Sequence, residues 1–369
     1  MMELSETETC YLETRRDFAQ NALLSWFTAH ARRLPWRENR SPYQVWVSEI
    51  MLQQTQVEMV QNYFMRFMER FPTPEALAAA PLEAVLKVWE GLGYYSRARA
   101  LHRAAQKVME HHQGRLPADP KILRTLPGIG PYTAGAIASL AFNIPVPAVD
   151  GNVRRVLARV LALPDPSPEL LESIARAWLP ELNPGVFNEA LMELGALICR
   201  PRSPQCSVCP WRELCRAYEL GQPEGFPVVK PRKPLPHYDV VAAVTMREDR
   251  RILVAQRRPE DMLGGLWEFP GGKRQEGETL ETALRRELQE EMGITLEVGA
   301  PIEVVRHAYT HFRITLYAYE CRLVGGEPQC IECADFKWAT LDDLRTLPMA
   351  VTDRRIARTV ELRLGAQED

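Results

Sequence analysis

The apolar residues of this chain change their period once along its length, and that change limits what it can fold into. From residue 15 to 217 they recur at spacings of three and four, through 22–27, 45–64, 84–88, 134–141 and 190–198, with proline-bearing breaks between. This is the pattern of packed helices. Residues 222–236 then read QPEGFPVVKPRKPLP, too rich in proline for a helix or a central strand, and are expected to form an extended linker. Beyond it the β-branched and aromatic runs at 238–245, 252–254 and 314–319 predict strands, with one strong helix over 279–292. The fold expected is multidomain: an all-α domain over residues 1–218, a proline-rich linker over 219–236 and an α/β domain over 237–365.

A length of 369 residues allows each domain its own core without disulfides. The first eighteen residues alternate polar and charged groups with no apolar run, and no stretch is long enough to cross a bilayer, so neither export nor membrane insertion is expected. The expected compartment is the reducing cytosol, where the eight cysteines read as metal ligands or core thiols. A net charge of -3 does not advertise a nucleic-acid partner; local charge must carry that case.

Local charge is concentrated around four of those cysteines. Cys199, Cys206, Cys209 and Cys215 follow C-x6-C-x2-C-x5-C, interleaved with Arg200, Arg202, Arg212 and Arg216, a cluster-bearing loop with a basic rim suited to a phosphate backbone. Four thiolates would also satisfy a structural zinc, and spacing alone leaves that open; the uneven gaps suit an iron–sulfur cubane better than two zinc knuckles. Cys10, Cys321, Cys330 and Cys333 are left over and are expected to serve ordinary packing, although the last two form a lone CxxC. In LPGIGPYTA, residues 126–134, Gly128 and Gly130 make a tight turn before an apolar helix. Such a turn either points backbone N–H groups at an oxyanion or is a plain interhelical connection.

Two carboxylates sit in contrasting surroundings. On a helix, Glu49 has Val45, Trp46 and Leu52 as same-face neighbours, a core-facing stripe in which desolvation raises its pKa and keeps a proton available for general acid work. Asp150, between PVPAV and GNVRRVL, takes the place of a helix N-cap, where N–H donors and the helix dipole favour its ionised form. One protonated and one charged carboxyl is the division of labour of enzymes that break glycosidic bonds.

These residues resemble the MutY family of adenine DNA glycosylases, within the helix-hairpin-helix superfamily that includes endonuclease III. The likeness runs through LPWR at 34–37, SEIMLQQTQV at 48–57, EGLGYYSRA at 90–98, LPGIGPYTAGA at 126–136, VDGNV at 149–153 and the cysteine loop. The resemblance implies a helix-hairpin-helix glycosylase domain whose four cysteines hold a [4Fe-4S] cluster. It further implies that Glu49 protonates adenine at N7, that Asp150 attacks or stabilises the deoxyribosyl cation, and that Tyr132 and Asn152 assist. By the same carry-over Gln54 and Tyr94 wedge into the base stack while adenine is flipped out, and Trp36 and Arg37 line its pocket. Lyase relatives place a Schiff-base lysine where this chain has Tyr132, and no lysine occurs between Lys121 and Lys230, so a monofunctional hydrolase is expected. The implied partner is duplex DNA with adenine opposite 8-oxoguanine or guanine, met by a monomer in a bacterial cytoplasm, at the nucleoid.

The resemblance also makes the second domain a Nudix-like reader of 8-oxoguanine, with Tyr309, Thr310 and His311 at the lesion. Residues 272–294 fit G-x5-E-x7-R-E-U-x-E-E-x-G-U at every defined position, and GLWEFPGGK at 265–273 is similar to the MutT nucleotide hydrolases. Glu287, Glu290 and Glu291 fall on one helical face, a candidate site for Mg or Mn that would make the domain a second, nucleotide-hydrolysing enzyme. The alternative is a scaffold in which Arg286 pairs with these glutamates. Val351 stands where MutT has an amide that reads the oxidised purine, a departure from that family's pattern.

Overall fold

The computed structural model describes residues 6–229 and 234–365. They form two compact units. The first takes the described residues up to Ala78 and those from Arg103 to the linker; the second takes Ala79–His102 and the described residues from 234 onward. Sequence alone put 79–102 inside the first domain. Among the described residues no helix is long and apolar enough to cross a membrane.

The first unit is helical because its sequence repeatedly supplies a start signal. Ser41, Asp150 and Ser167 cap the helices Pro42–Leu52, Gly151–Val160 and Pro168–Trp178 by accepting from Gln44, Val153 and Leu170 N–H at 3.2, 2.7 and 3.2 Å. Proline opens Pro42–Leu52, Pro131–Phe142, Pro168–Trp178 and Pro184–Leu197, where its missing N–H has no partner to lose. The expected run 45–64 is broken into Pro42–Leu52 and Val57–Arg70, and Gln54, with φ 58°, lies in the break. One core joins Leu23 and Phe27 of the helix Glu6–His30 to Val156, Ile174, Leu191 and Trp211. The cysteine loop is fastened to that first helix: Trp211 Nε1 donates to Ala19 O at 2.9 Å and Tyr11 Oη to Leu214 O at 2.7 Å. Trp211 meets Trp178 edge to face at 5.0 Å, worth roughly 1 kcal/mol beyond the area buried.

In the second unit, β1 (His237–Thr245), β2 (Ile252–Gln256), β3 (Trp267–Glu268), β4 (Thr295–Ala308), β5 (Arg313–Gly325) and β6 (Asp335–Ala339) make two three-stranded sheets. Their orders are β1-β5-β4, with β1 parallel to β5, and β3-β2-β6, all antiparallel. The period-2 alternation of β1 sends Ala242 and Val244 into one core with Ile356 and Val360, and Val241 and Ala243 into another with Leu284 and Leu288. The two helices carrying those residues, Val351–Gly365 and Leu280–Met292, therefore cover opposite faces. Sequence reading missed the short β3 and β6, β4, whose many exposed residues, Pro301 and register shifts blur any alternation, and the polar helix Val351–Gly365. The segment 79–102 joins this unit through specific bonds. Lys87 Nζ donates to Arg345 O at 2.6 Å, Arg99 Nη1 to Gly264 O at 2.7 Å and Tyr95 Oη to Met349 O at 3.3 Å, while Arg354 pairs with Glu90. Of the predicted linker, Pro223–Gly225 is a short 3-10 turn and Val228 N–H donates to Pro164 O at 2.7 Å; residues 230–233 lie outside the described residues.

Gly195 sets the approach of Pro184–Leu197 to Gly151–Val160, since a Cβ there would lie 2.6 Å from Asn152 Cβ and 3.1 Å from its backbone. Substituting Gly195→Ala is expected to cost about 1–3 kcal/mol by overpacking, read as a lowered denaturation midpoint. An unchanged midpoint would show that the two helices part freely.

Candidate active site

Glu49 and Asp150 open onto the same cavity of the first unit, of about 1050 Å³, which Trp36, Arg37, Gln54, Tyr132 and Asn152 also line. Glu49 is held on Pro42–Leu52 with its face turned inward, only 5% exposed. Tyr132, on the first turn of Pro131–Phe142, donates to Glu49 Oε2 at 2.7 Å. Burial pushes the Glu49 carboxyl up to about 7, against the pull of that hydrogen bond and with help from the charges of Asp150 and Glu189. The inward stripe expected from sequence is present, and the carboxyl within it has one phenolic partner.

Asp150 caps Gly151–Val160, accepting from Val153 N–H at 2.7 Å through Oδ1 and from Asn152 Nδ2 at 2.9 Å through Oδ2. Sequence reasoning expected this cap to favour the anion. Burial nonetheless outweighs the donors, and the Asp150 carboxyl lies above its ordinary value. The contrast with Glu49 survives as one of surroundings, because Asp150 has two N–H donors and the nearby Arg155 to hold a charge. Asn152 is itself fixed by Arg155, whose Nη2 donates to Asn152 Oδ1 at 2.9 Å and Gly195 O at 2.7 Å.

Arg37 reaches the cavity with its guanidinium committed elsewhere: Nε donates to Glu189 Oε1 at 2.7 Å, and Nη1 and Nη2 both contact Glu193 at 3.2 Å. Arg32 and Arg40 complete the network, Arg32 Nη2 to Glu193 Oε2 at 2.8 Å and Arg40 Nη2 to Glu189 Oε2 at 2.6 Å. Burial alone would raise the Glu193 carboxyl, but hydrogen bonds from Arg32 and Arg37 bring it down to about 2. Sequence reasoning missed Glu189 and Glu193. The available signal was a pair of glutamates four apart on an otherwise apolar helix, NEALMEL, in a chain that also offers the arginines of LPWRENR. Trp36 is buried and meets Phe64 edge to face at 5.5 Å. Gly128 has φ 80° and Gly130 is the N-cap of Pro131–Phe142. Lys121, Arg124, Arg154 and Arg176 add positive charge to the cavity walls that the net charge conceals.

The four loop cysteines ring one small cavity with Arg159, whose Nη1 donates to Cys199 Sγ at 3.3 Å. Burial, with neighbouring sulfurs adding to it, pushes the Cys209 thiol up to about 12 and Cys215 up to about 11, so thiolates here need a cationic cluster to hold them. That donor set fits a [4Fe-4S] cluster. Arg159 also donates to Arg200 O at 2.7 Å and Pro201 O at 3.0 Å, tying down the start of the loop. Of the leftover cysteines only Cys321 is buried; Cys10 and Cys330 are exposed and Cys333 is half-buried, so ordinary packing describes just one of the four.

In the second unit Tyr94 lies in a turn with φ 49° between Gly93 at 78° and Arg97, whose guanidinium sits 5.2 Å from the Tyr94 ring. Its hydroxyl meets Thr310 Oγ1 at 2.6 Å. Thr310 and His311 are exposed, whereas Tyr309 packs between His307 and Phe312 at 4.6 and 4.9 Å. Burial raises the Tyr309 hydroxyl above its ordinary value. On Leu280–Met292, Arg286 pairs with Glu278, Glu287 and Glu290 at 2.7, 2.9 and 2.9 Å. Burial and the Glu287 charge push Glu291 up to about 7. Among the described residues no group of three His, Cys, Asp or Glu side chains could hold a single metal ion. In this arrangement Glu287 and Glu290 are paired with Arg286, as in the scaffold alternative.

Comparison with known proteins divides the chain differently at residues 79–102, which fall within the first of its matches. Residues 47–181 match the HhH-GPD superfamily of base excision DNA repair proteins, 199–215 the iron-sulfur binding domain of endonuclease III, and 241–359 the NUDIX domain. The iron-sulfur match spans all four loop cysteines. Adenine DNA glycosylase of Homo sapiens is 36% identical over 93% of this chain and 74% of its own length; that of Schizosaccharomyces pombe is 30% identical over 92% and 88%. Among solved structures, a thermostable thymine-DNA glycosylase aligns with TM-score 0.53 at 30% identity, covering 56% of this chain and 98% of its own. An endonuclease III–DNA complex aligns with TM-score 0.50 at 26% identity, covering 58% and 96%. With a buried acid, a capped aspartate and a cysteine loop in one helical unit and relatives aligned over nearly its whole length, the chain belongs to the adenine DNA glycosylase family.

Proposed function

We propose that the chain hydrolyses the N-glycosidic bond of adenine placed opposite 8-oxoguanine in duplex DNA, and leaves the strand uncut. The observation that carries this is the pair of carboxyls on one cavity, one buried, with its carboxyl pushed up to about 7, and one capped by N–H donors. Glu49 gives its proton to N7 of the flipped adenine, which turns the base into a neutral leaving group. Tyr132 holds that carboxyl by its hydroxyl. Asp150 stabilises the positive charge that develops at the sugar, with Asn152 fixing its orientation. Water completes the reaction, since the hairpin position offers a phenol and no amine. Trp36 and Arg37 bound the adenine pocket, Gln54 and Tyr94 enter the base stack, the turn at Gly128 and Gly130 grips the backbone, and Thr310 and His311 face the lesion, anchored by Tyr309. The cluster fastens the loop and positions its basic rim; it supplies no step of the hydrolysis.

The second unit acts in this reading as a binding module. Pyrophosphate release from nucleoside triphosphates with Mg would overturn that part, because Glu287 and Glu290 are paired with Arg286.

Replacing Glu49→Gln or Asp150→Asn is expected to slow single-turnover adenine release by about 10²–10⁴-fold while duplex binding persists; near-normal rates in both would remove the mechanism. Because Glu49 must carry its proton and its carboxyl sits at about 7, release is expected to be fastest below that pH and to decline as pH rises through it. A profile flat into the alkaline range would assign the proton to another donor. Adenine opposite 8-oxoguanine should be processed faster than adenine opposite thymine or guanine, measured on matched duplexes.

A further inference from the structure

The CxxC of the second unit, Cys330 to Cys333, lies in the connection from β5 to β6 and is a motif that the proposed hydrolysis does not use. Cys330 is exposed and Cys333 half-buried, so packing explains neither. The Cys333 thiol hydrogen-bonds to Cys330, which brings the two sulfurs face to face. The backbone around them is fastened to other elements. Gln329 N–H donates to Met292 O at 3.1 Å, Ile331 and Glu332 N–H both donate to Glu291 O at 3.2 Å, Ala334 N–H donates to Gln256 O at 2.8 Å, and Arg258 Nη2 donates to Ile331 O at 2.6 Å. Every residue from 329 to 334 other than the two cysteines is thus pinned, and little freedom remains to be lost when the sulfurs join.

The two thiols differ in what they can do. Burial and the bond to Cys330 push the Cys333 thiol up to about 12, so it keeps its proton. Attack on a dissolved oxidant falls to Cys330, the thiol that solvent reaches. We propose that Cys330 and Cys333 form a redox modification site for hydroperoxides, with Cys330 as the reacting sulfur and Cys333 as the resolving one. The Cys330 sulfur attacks one peroxide oxygen, the O–O bond breaks, and the other oxygen leaves as water with the thiol proton, so that Cys330 becomes a sulfenic acid. The Cys333 sulfur then attacks that of Cys330, the S–O bond breaks, and the hydroxyl leaves as a second water with the Cys333 proton. Two thiols are oxidised to one disulfide and one peroxide is reduced to two waters. Closure turns an oxidative hit into a bond that thiols can reduce, and spares Cys330 the irreversible step to sulfinic acid.

The test treats the full-length protein with hydrogen peroxide, alkylates free thiols and digests with trypsin. No Lys or Arg lies between Arg322 and Lys337, so both cysteines fall in the one peptide 323–337. That peptide is expected to lose two hydrogens and carry no alkyl group, and to regain two alkyl groups when dithiothreitol precedes alkylation. In Cys333→Ser the sulfenic acid on Cys330 should persist, react with dimedone and pass to sulfinic acid at higher peroxide. Dimedone labelling of Cys333 in Cys330→Ser should be much weaker. Two alkylated thiols after peroxide, or Cys330 joined to another peptide in preference to Cys333, overturns the site, and equal labelling in the two variants overturns the assignment of roles.

Discussion

Desolvation of a single carboxyl organises the first unit. Glu49 is only 5% exposed on its helix, with Val45 and Trp46 buried on the same face, and burial disfavours a charge there, so its carboxyl is pushed up to about 7. The rest of the site is arranged around that condition. Tyr132 supplies one hydrogen bond without supplying charge, and the cationic groups of Arg32, Arg37 and Arg40 are neutralised by Glu189 and Glu193 before they can ionise Glu49. A lone guanidinium in that wall would pull the acid down toward its ordinary range.

Asp150 shows the opposite use of the same helix-building rules. The aspartate that starts Gly151–Val160 is needed by the backbone for its first N–H groups, and the chemistry borrows the cap already formed. Asn152 is pinned between Asp150, Arg155 and the close backbone of Gly195, so cap, arginine and glycine together determine where the anion points.

Much of this was legible in the sequence because the informative residues are local. The stripe around Glu49, the cap at Asp150, the cysteine spacing and the glycine turn each lie within a stretch of 17 residues or fewer, and short-range rules describe them. What escaped was long-range. Glu189 and Glu193 acquire their meaning from arginines some 150 positions away, and β4 depends on its pairing with β5 because its own sequence alternates poorly. The direction of the Asp150 shift also escaped, since a cap predicts donors and says nothing of how much protein covers them. The contact between Tyr94 and Thr310 joins residues 216 apart in two segments that sequence assigned to different domains.

That last assignment bears on how the protein can be dissected. Because Ala79–His102 belongs by its bonds to the second unit, the backbone passes from one unit to the other at residue 78, returns at 103 and leaves again at the linker. No single cleavage frees either piece. A fragment stopped at the linker keeps Lys87, Glu90 and Arg99 but loses Arg345, Arg354 and the carbonyl of Gly264, and a fragment begun there keeps the latter and loses the former. Isolated halves are thus incomplete proteins, and excising the first unit would mean removing Ala79–His102, which cuts the helix Tyr95–His112, as well as a terminus.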